Sequence, residues 1–255
     1  MSISGVILAA GQGTRMKSSL PKVLHNVLGI PMIDYAQEAI SHFDSKYVVV
    51  GHQSEKVSST IFETFIPIVQ KEQLGTGHAI STLLESSEFE SDNSQYLVVI
   101  PGDVPLIRKD ELDKLVNDVI ENKAAIGLIS AKVKNPFGYG RIVKNNEEFK
   151  KIIEESDANE AEKQINEINS GIYCIEINFL NSNIGSLESS NNQKEFYLTD
   201  LINIAFQNNL ERVIVQVNED SIQGINSMSQ LNDVENTLRK ELIAVSYTHL
   251  TLPTR

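Results

Sequence analysis

Short apolar runs rich in β-branched residues alternate with longer stretches whose apolar positions recur every three or four residues, from the amino terminus to about residue 130. That rhythm predicts βαβ units in a Rossmann-like α/β fold, an open and mostly parallel sheet. Val6 to Leu8, Tyr47 to Val50, Ile66 to Val69 and Tyr96 to Ile100 read as core strands. Pro31 suits the first turn of a helix, and Ile33, Ala36, Ala39 and Ile40 follow it at helical spacing. A second helix is expected from about Gly77 to Glu85. A third is expected over Lys109 to Glu121, with Leu112, Leu115, Val116, Val119 and Ile120 on one face.

After about residue 130 the rhythm changes. Arg141 to Lys144 and Phe149 to Ile153, separated by Asn145, Asn146 and Glu147, read as a β-hairpin, and Ile172 to Ile177 as a return to the sheet. Such a β-rich insertion would cover the mouth of the sheet. The polar stretch Ser182 to Gln193 reads as a loop and Asn226 to Ile243 as a closing helix. The expected organisation is a main domain over 1–226, a closing or linker helix over 227–245, and a tail over 246–255 that breaks the helical pattern. The tail resembles a translated sequencing-adapter read and is set aside from the functional argument.

Composition narrows the function classes. The chain has 255 residues, enough for a sizeable core, and a formal charge of −12, which argues against a general nucleic-acid surface. The lone cysteine, Cys174, lies in an apolar run and reads as a buried strand residue; it rules out an intramolecular disulfide. No run approaches membrane-spanning length, so a cytoplasmic, reducing location is expected. His25, His42, His52 and His78 share no metal-ligand spacing, and no Ser/His/Asp arrangement is evident.

The first strand runs into Leu8, Ala9, Ala10, Gly11, Gln12, Gly13, Thr14 and Arg15, with Lys22 following soon after. Small residues let backbone N–H groups approach phosphate oxygens, and the two cations supply charge against a polyanion. A glycine pair after a strand could also be only a tight turn. The segment has neither a P-loop ending nor the third glycine of a dinucleotide fold.

Together with Leu20 to Leu24, Gln70 to Ala79, Gly102 to Ile107, Gly138 to Val143, Glu167 to Ile172 and Tyr197 to Leu201, this loop resembles the sugar-nucleotide pyrophosphorylases. Within them it is similar to the uridylyltransferase half of the bifunctional N-acetylglucosamine-1-phosphate uridylyltransferase/glucosamine-1-phosphate acetyltransferase family. The resemblance implies a Mg²⁺-dependent transfer from UTP to N-acetylglucosamine 1-phosphate, giving UDP-N-acetylglucosamine and pyrophosphate. Hexapeptide repeats of an acetyltransferase half are not found in the chain, so that half is expected to be absent; relatives that carry it would trimerise through it.

By the same resemblance Arg15, Lys22 and Asp103 are catalytic, and Asp103 and Asn226 hold the metal. Leu8, Ala9, Ala10, Gly11, Lys22 and Gly102 border the nucleotide, while Gln70, Gly75 and Thr76 read the base. Gly140, Glu154 and Asn169 take the sugar, and Tyr197 and Thr199 line the same pocket. A carboxylate such as Asp103 at the end of a parallel strand points into the crevice of an α/β sheet, and hard Mg²⁺ prefers oxygen ligands. Asp103 could instead be a solvated turn residue, Asn226 a helix N-cap, Gln70 an ordinary strand-end residue, and Glu154, with Glu155 beside it, a solvated carboxylate. His78 is expected to serve local packing or hydrogen bonding. Two departures from the family pattern stand out: Pro101 where Tyr or Asn is usual, and Ser227-Met228 where a basic residue usually follows Asn226. Another nucleotide or sugar phosphate, or a nucleotide-sugar-binding protein without turnover, remains the alternative.

Overall fold

The computed structural model describes residues 1–145 and 148–250. In chain order the elements are β1 (Ile3–Ala9), β2 (Asn26–Val27), β3 (Ile30–Pro31), α1 (Met32–Ala39), β4 (Ser45–Val50), α2 (Ser54–Ser58), β5 (Ile66–Val69), α3 (Thr76–Leu84), α4 (Ser87–Glu90), β6 (Tyr96–Pro101) and α5 (Lys109–Glu121). There follow β7 (Ile126–Lys132), β8 (Arg141–Asn145), β9 (Glu148–Ile153), β10 (Glu167–Glu176), α6 (Ile177–Asn183), α7 (Asp200–Gln207), β11 (Arg212–Gln216) and α8 (Met228–Leu250). The main sheet runs β11-β7-β10-β6-β1-β4-β5, and the β8–β9 hairpin joins it through β10. Only β10 opposes its neighbours along that path, so the sheet is mostly parallel, as the pattern predicts.

Alternation along the strands divides the apolar side chains between two faces. Ile7, Val48, Val50, Val98 and Ile100 pack with Ile33, Ala36 and Ile40 of α1 and with Leu112, Leu115, Val116 and Val119 of α5. Val6, Val49, Leu97 and Val99 face the other way, against α3, α6 and α7 through Ile80, Leu83, Phe179, Leu180, Leu201 and Ile202. Each buried aliphatic side chain contributes about 1.5–3 kcal/mol, which explains how β6, apolar on both faces, holds the centre. A third cluster of Met16, Val27, Met32, Leu106, Ile225, Leu231 and Val234 docks α8 against the segment that follows β1.

Topology decides where a ligand can sit. The chain moves outward from β1 to β4 and β5, then returns to place β6 on the other side of β1. Divergence of connections at such a switch opens a crevice at the carboxyl ends of the strands. Because β10 is antiparallel and pairs Tyr173 with Val99 and Glu176 with Tyr96, its early residues lie at that same end. The hairpin pairs Arg141 with Ile153, so Gly140 and Glu154, one residue beyond each, flank its open end.

Four local expectations are corrected. Pro31 lies in β3 with an extended ψ of 140°, and the helix starts after it. β10 begins at Glu167, and Ile177 opens α6. The stretch expected as a loop from Ser182 opens with the end of α6 and a 3-10 turn over Ile184–Ser186, because Phe179 and Leu180 bury and carry the helix past the polar residues. The helical pattern does not break at 246: α8 runs to Leu250, the sequence offering neither Gly nor Pro before Pro253. The expected hairpin tip at 146–147 and the end of the tail at 251–255 lie outside the described residues.

Candidate active site

After β1 the chain makes no α-helix but a 3-10 turn over Thr14–Met16, flanked by Gly13 and Lys17 in the left-handed region. Met16 buries in the third cluster, leaving Arg15 exposed beside it. A second 3-10 turn carries Lys22 while Val23 and Leu24 bury. Lys22 thereby forms an ion pair with Asp103, and its Nζ also donates to Asn226 Oδ1 at 2.6 Å. Arg15 Nη2 donates to the same Oδ1 at 2.7 Å. The amide of Ile225 donates to the Asp103 carbonyl at 3.0 Å, which pins the Asn226 loop beside the end of β6.

Asn226 does not cap α8. Ser227 Oγ accepts from the Gln230 amide at 3.3 Å, and Gln230 Oε1 accepts from the Asn226 amide at 2.7 Å, a reciprocal arrangement of the capping-box kind. The unusual Ser227 therefore does the capping, and the Asn226 side chain is turned to the cations. Two oxygen donors, one a carboxylate and one an amide, thus converge on a single ammonium. Hard divalent cations take that donor type, so Lys22 stands in for such an ion and the residues fit one.

Next to this cluster a cavity of about 430 Å³ is lined by Leu8, Ala9, Ala10, Gly11, Lys22, Gln70, Gly75, Thr76, Asp103, Gly140, Glu154 and Asn169 among others. Twelve of the seventeen expected site residues, far apart in sequence, are therefore brought together. At one end Gln70 is 3% exposed, and its Nε2 lies 2.8 Å from His78 Nδ1. Gly75 beside it has φ of 107°, and a Cβ there would come within 2.6 Å of the Phe196 carbonyl; only glycine fits. At the other end a Cβ on Gly140 would meet Ile152 at 2.8 Å and both Glu154 carboxylate oxygens at 3.3 Å, so its absence lets the carboxylate lie against the backbone. Asn169 donates through Nδ2 to the Tyr173 hydroxyl at 2.6 Å and accepts from the Gly171 amide at 3.1 Å, across the irregular stretch of β10.

The other expected residues stand elsewhere. Arg15 and Asn226 are reached through Lys22 rather than the cavity wall. The Gly102 amide bonds the Leu8 carbonyl at 3.0 Å, tying β6 to β1, and the residue does not line the cavity. Tyr197 and Thr199 line an adjoining polar cavity of about 710 Å³ that shares Glu154 with the first, and the Thr199 hydroxyl donates to Glu154 Oε1 at 3.4 Å. Pro101 and Gly171 are packed together at the wall, a Cβ on Gly171 coming within 3.1 Å of the Pro101 ring.

Comparison with known proteins places this geometry. The profile of the MobA-like NTP transferase domain matches residues 5–163. The chain belongs to that family. Its sequence is 39% identical over 249 residues to the bifunctional protein GlmU of Alkaliphilus metalliredigens, and 41% identical over 249 residues to that of Trichlorobacter lovleyi. These alignments cover 95% of the chain in both cases, and 53% and 54% of the relatives, so the chain spans about half the length of the curated relatives it matches. In fold it is similar to a UDP-glucose pyrophosphorylase complexed with UDP-glucose, with TM-score 0.74 and 19% identity over 94% of this chain and 100% of that one. An inositol-1-phosphate CTP transferase from T. maritima aligns with TM-score 0.69 and 18% identity, over 93% and 95% of the two chains. The sheet is that of the sugar-nucleotide transferases.

Within this NTP transferase domain the two adjacent glutamates have separate fates. Glu155 accepts from Arg141 Nη2 at 2.5 Å and from the Gly138 amide at 3.1 Å, fixing the loop that leads to Gly140. Glu154 faces the cavity, and burial, aided by Asp157, Asp200 and Glu195 and opposed by the Thr199 hydroxyl, pushes its carboxyl up to about 7. Tyr139, Tyr173 and Glu195 also line the cavity but are not among the candidates the sequence offers; Tyr139 lies inside the Gly138 to Val143 stretch and Glu195 two residues before Tyr197, and only the fold turns them inward. Among the described residues no cluster of three or more metal-binding His, Cys, Asp or Glu side chains occurs, and no helix is long and apolar enough to cross a membrane.

Two expectations follow. If Lys22 occupies the cation position between Asp103 and Asn226, Lys22→Met should tighten Mn²⁺ binding to the nucleotide-free protein several-fold, read by electron paramagnetic resonance of free Mn²⁺; weaker binding would contradict the stand-in role. A carboxyl whose folded pKa lies above its ordinary 4.5 favours folding while protonated, and that stability is lost as pH rises through about 7. Glu154→Gln should therefore be more stable to unfolding than the parent at about pH 8, by at most ~3 kcal/mol, with the difference shrinking toward about pH 5. A pH-independent difference would contradict the raised pKa.

Proposed function

We propose that the chain is a Mg²⁺-dependent uridylyltransferase that joins UTP and N-acetylglucosamine 1-phosphate into UDP-N-acetylglucosamine and pyrophosphate. One observation carries the reading: Asp103 and Asn226, 123 positions apart, direct their oxygens at one cation, Lys22, which lines a single cavity together with the glycine-rich loop and the buried amide of Gln70. A binding module would not need that converged set of charges. The identity to GlmU proteins supports the choice of nucleotide and sugar.

In the proposed reaction a phosphate oxygen of the sugar 1-phosphate attacks the α-phosphorus of UTP. The bond from that phosphorus to the bridging oxygen breaks, and pyrophosphate carries away the electron pair. The attacking oxygen is already an anion, so no general base is required; positioning and charge neutralisation remain to be supplied. The amides around Ala10 and Gly11 and the charges of Arg15 and Lys22 hold the triphosphate. Asp103 and Asn226 are the residues that would hold Mg²⁺, which when bound supplies further neutralisation of phosphate charge. Gln70, Gly75 and Thr76 hold the base, and Gly140, Glu154 and Asn169 the sugar. Leu8 and Ala9 form the apolar floor between them. A nucleotide-containing cytoplasm, reducing enough to keep buried Cys174 as a thiol, suits such substrates.

Pyrophosphate release measured across a matrix of nucleoside triphosphates and sugar 1-phosphates tests the reading. The highest turnover is expected with UTP and N-acetylglucosamine 1-phosphate, lost on chelation of divalent cations; a different preferred pair, or no release with any, would overturn it. Asp103→Asn should lower turnover about a hundred- to thousand-fold, the worth of one electrostatic catalytic contact of roughly 3–4 kcal/mol. Unchanged metal dependence in that variant would remove Asp103 from the role.

A further inference from the structure

Gln70 lines the cavity yet is 3% exposed, so the few hydrogen bonds open to its amide decide what it can offer a ligand. Nε2 lies 3.4 Å from the Gly75 carbonyl and 2.8 Å from His78 Nδ1. A backbone carbonyl only accepts, so the Gln70 atom that faces it is the NH₂, and the second hydrogen of that group goes to His78. Nδ1 is then the bare ring nitrogen, and Nε2 carries the proton. Both amide hydrogens are spent. Oε1 has no hydrogen-bond partner among the described residues, which leaves the cavity an acceptor and no donor at this point.

His78 is itself held. It sits in the first turn of α3, whose start is fixed by Gly75, and the neighbouring Gly77 amide donates to the Phe196 carbonyl at 2.8 Å. Its ring lies 6.5 Å from that of Phe196, centre to centre. The imidazole therefore has a fixed place from which to hold the amide.

We infer that His78 is a positioning residue that sets base preference by locking the Gln70 amide with its oxygen toward the cavity. The inference rests on the proposed role of Gln70 as reader of the nucleobase. A base with an N–H at that position, as the imide of uracil has, completes the free acceptor. One with a lone pair there, as N3 of cytosine has, is opposed by it. A site whose polar group is left unpaired rejects the wrong ligand more strongly than one that only loses apolar contact. Without the His78 acceptor the amide can turn over and offer its NH₂ to cytosine instead.

Two measurements on the whole chain test this. Long-range ¹H–¹⁵N spectra of the nucleotide-free protein, with the His78 signals assigned by their loss in His78→Phe, should report the Nε2–H tautomer; the Nδ1–H tautomer overturns the inference whatever the substrate. Titration calorimetry with UTP and with CTP should show that the parent prefers UTP and that His78→Phe, which keeps ring bulk but has no acceptor, loses at least about tenfold of that preference. A folded variant that binds both nucleotides more weakly in equal proportion points to packing alone and overturns the inference, as does a parent with no preference. If the variant does not fold, the tautomer and the parent's preference decide. Calorimetry reads binding, so preferential UTP binding without pyrophosphate release would sink the proposed reaction and leave the role of His78 standing; binding of neither nucleotide would sink both.

Discussion

Lys22 carries its ammonium to the point where the segment after β1, the end of β6 and the loop before α8 meet, and the cleft takes its shape from that meeting. The Lys22 and Asp103 side chains are 15% and 19% exposed, so neither charge keeps a full hydration shell. A pair in that position gains little net stability, since desolvation offsets most of the attraction, but removal of one partner leaves the other poorly compensated. Its value is geometric. The sequence separations of 81 and 204 residues show how much chain must be correctly packed before the three groups can touch. The third apolar cluster does that packing: Met16 beside Arg15 and Ile225 beside Asn226 bury together, so the two polar neighbours are delivered to the same place.

The part of the cavity wall that carries Asn169, Gly140 and Glu154 depends on one reversed strand. Were β10 parallel to β6, its first residues would lie at the amino-terminal edge of the sheet, far from the crevice. Running antiparallel, it brings Asn169 to the carboxyl ends of β6 and β7, and pairing of Ile168 with Arg141 brings the open end of the hairpin to the same level. Gly140 and Glu154 then face each other because Arg141 pairs with Ile153. Arg141, 1% exposed, is anchored by Glu155, which secures the hairpin from below while Glu154 remains for the cavity.

Much of this was legible in the sequence. β1, β4, β5 and β6 are marked by apolar β-branched runs and α5 by a strong helical period, and such patterns survive tertiary context. The positions of Pro31 and Ile177 were not, since each stands at a boundary where one residue of extended or helical backbone is decided by its neighbours. Helix α6 was hidden because it is short and mostly polar, with Phe179 and Leu180 the main apolar contacts to reveal it. For the site, the glycine-rich loop and Asp103 could be placed from strand ends alone. The capping choice could not: Asn226 and Ser227 are both good caps, and only the cations waiting beside Asn226 decide between them. Nor could the distribution of Glu154 and Glu155, adjacent carboxylates that a hairpin end sends in different directions, or the placement of Tyr197 and Thr199 in the adjoining cavity that shares Glu154.

The chain carries a net charge of −12, yet its cavity is polar in the electrical sense. Lys22 lines the cavity, with Arg15 beside it through Asn226; Glu154 and Glu195 line it too, and burial, aided by Asp157 and Asp200, raises the Glu154 pKa. A ligand with phosphates and hydroxyls is favoured with its phosphates at Lys22, and above about pH 7, where Glu154 ionises, phosphates beside that carboxylate would be repelled. The acidic background thus need not oppose a polyanionic ligand. It strengthens the contrast that orients one, provided the cations are clustered, and the Asn226 Oδ1 that accepts from both Arg15 and Lys22 is what holds them together.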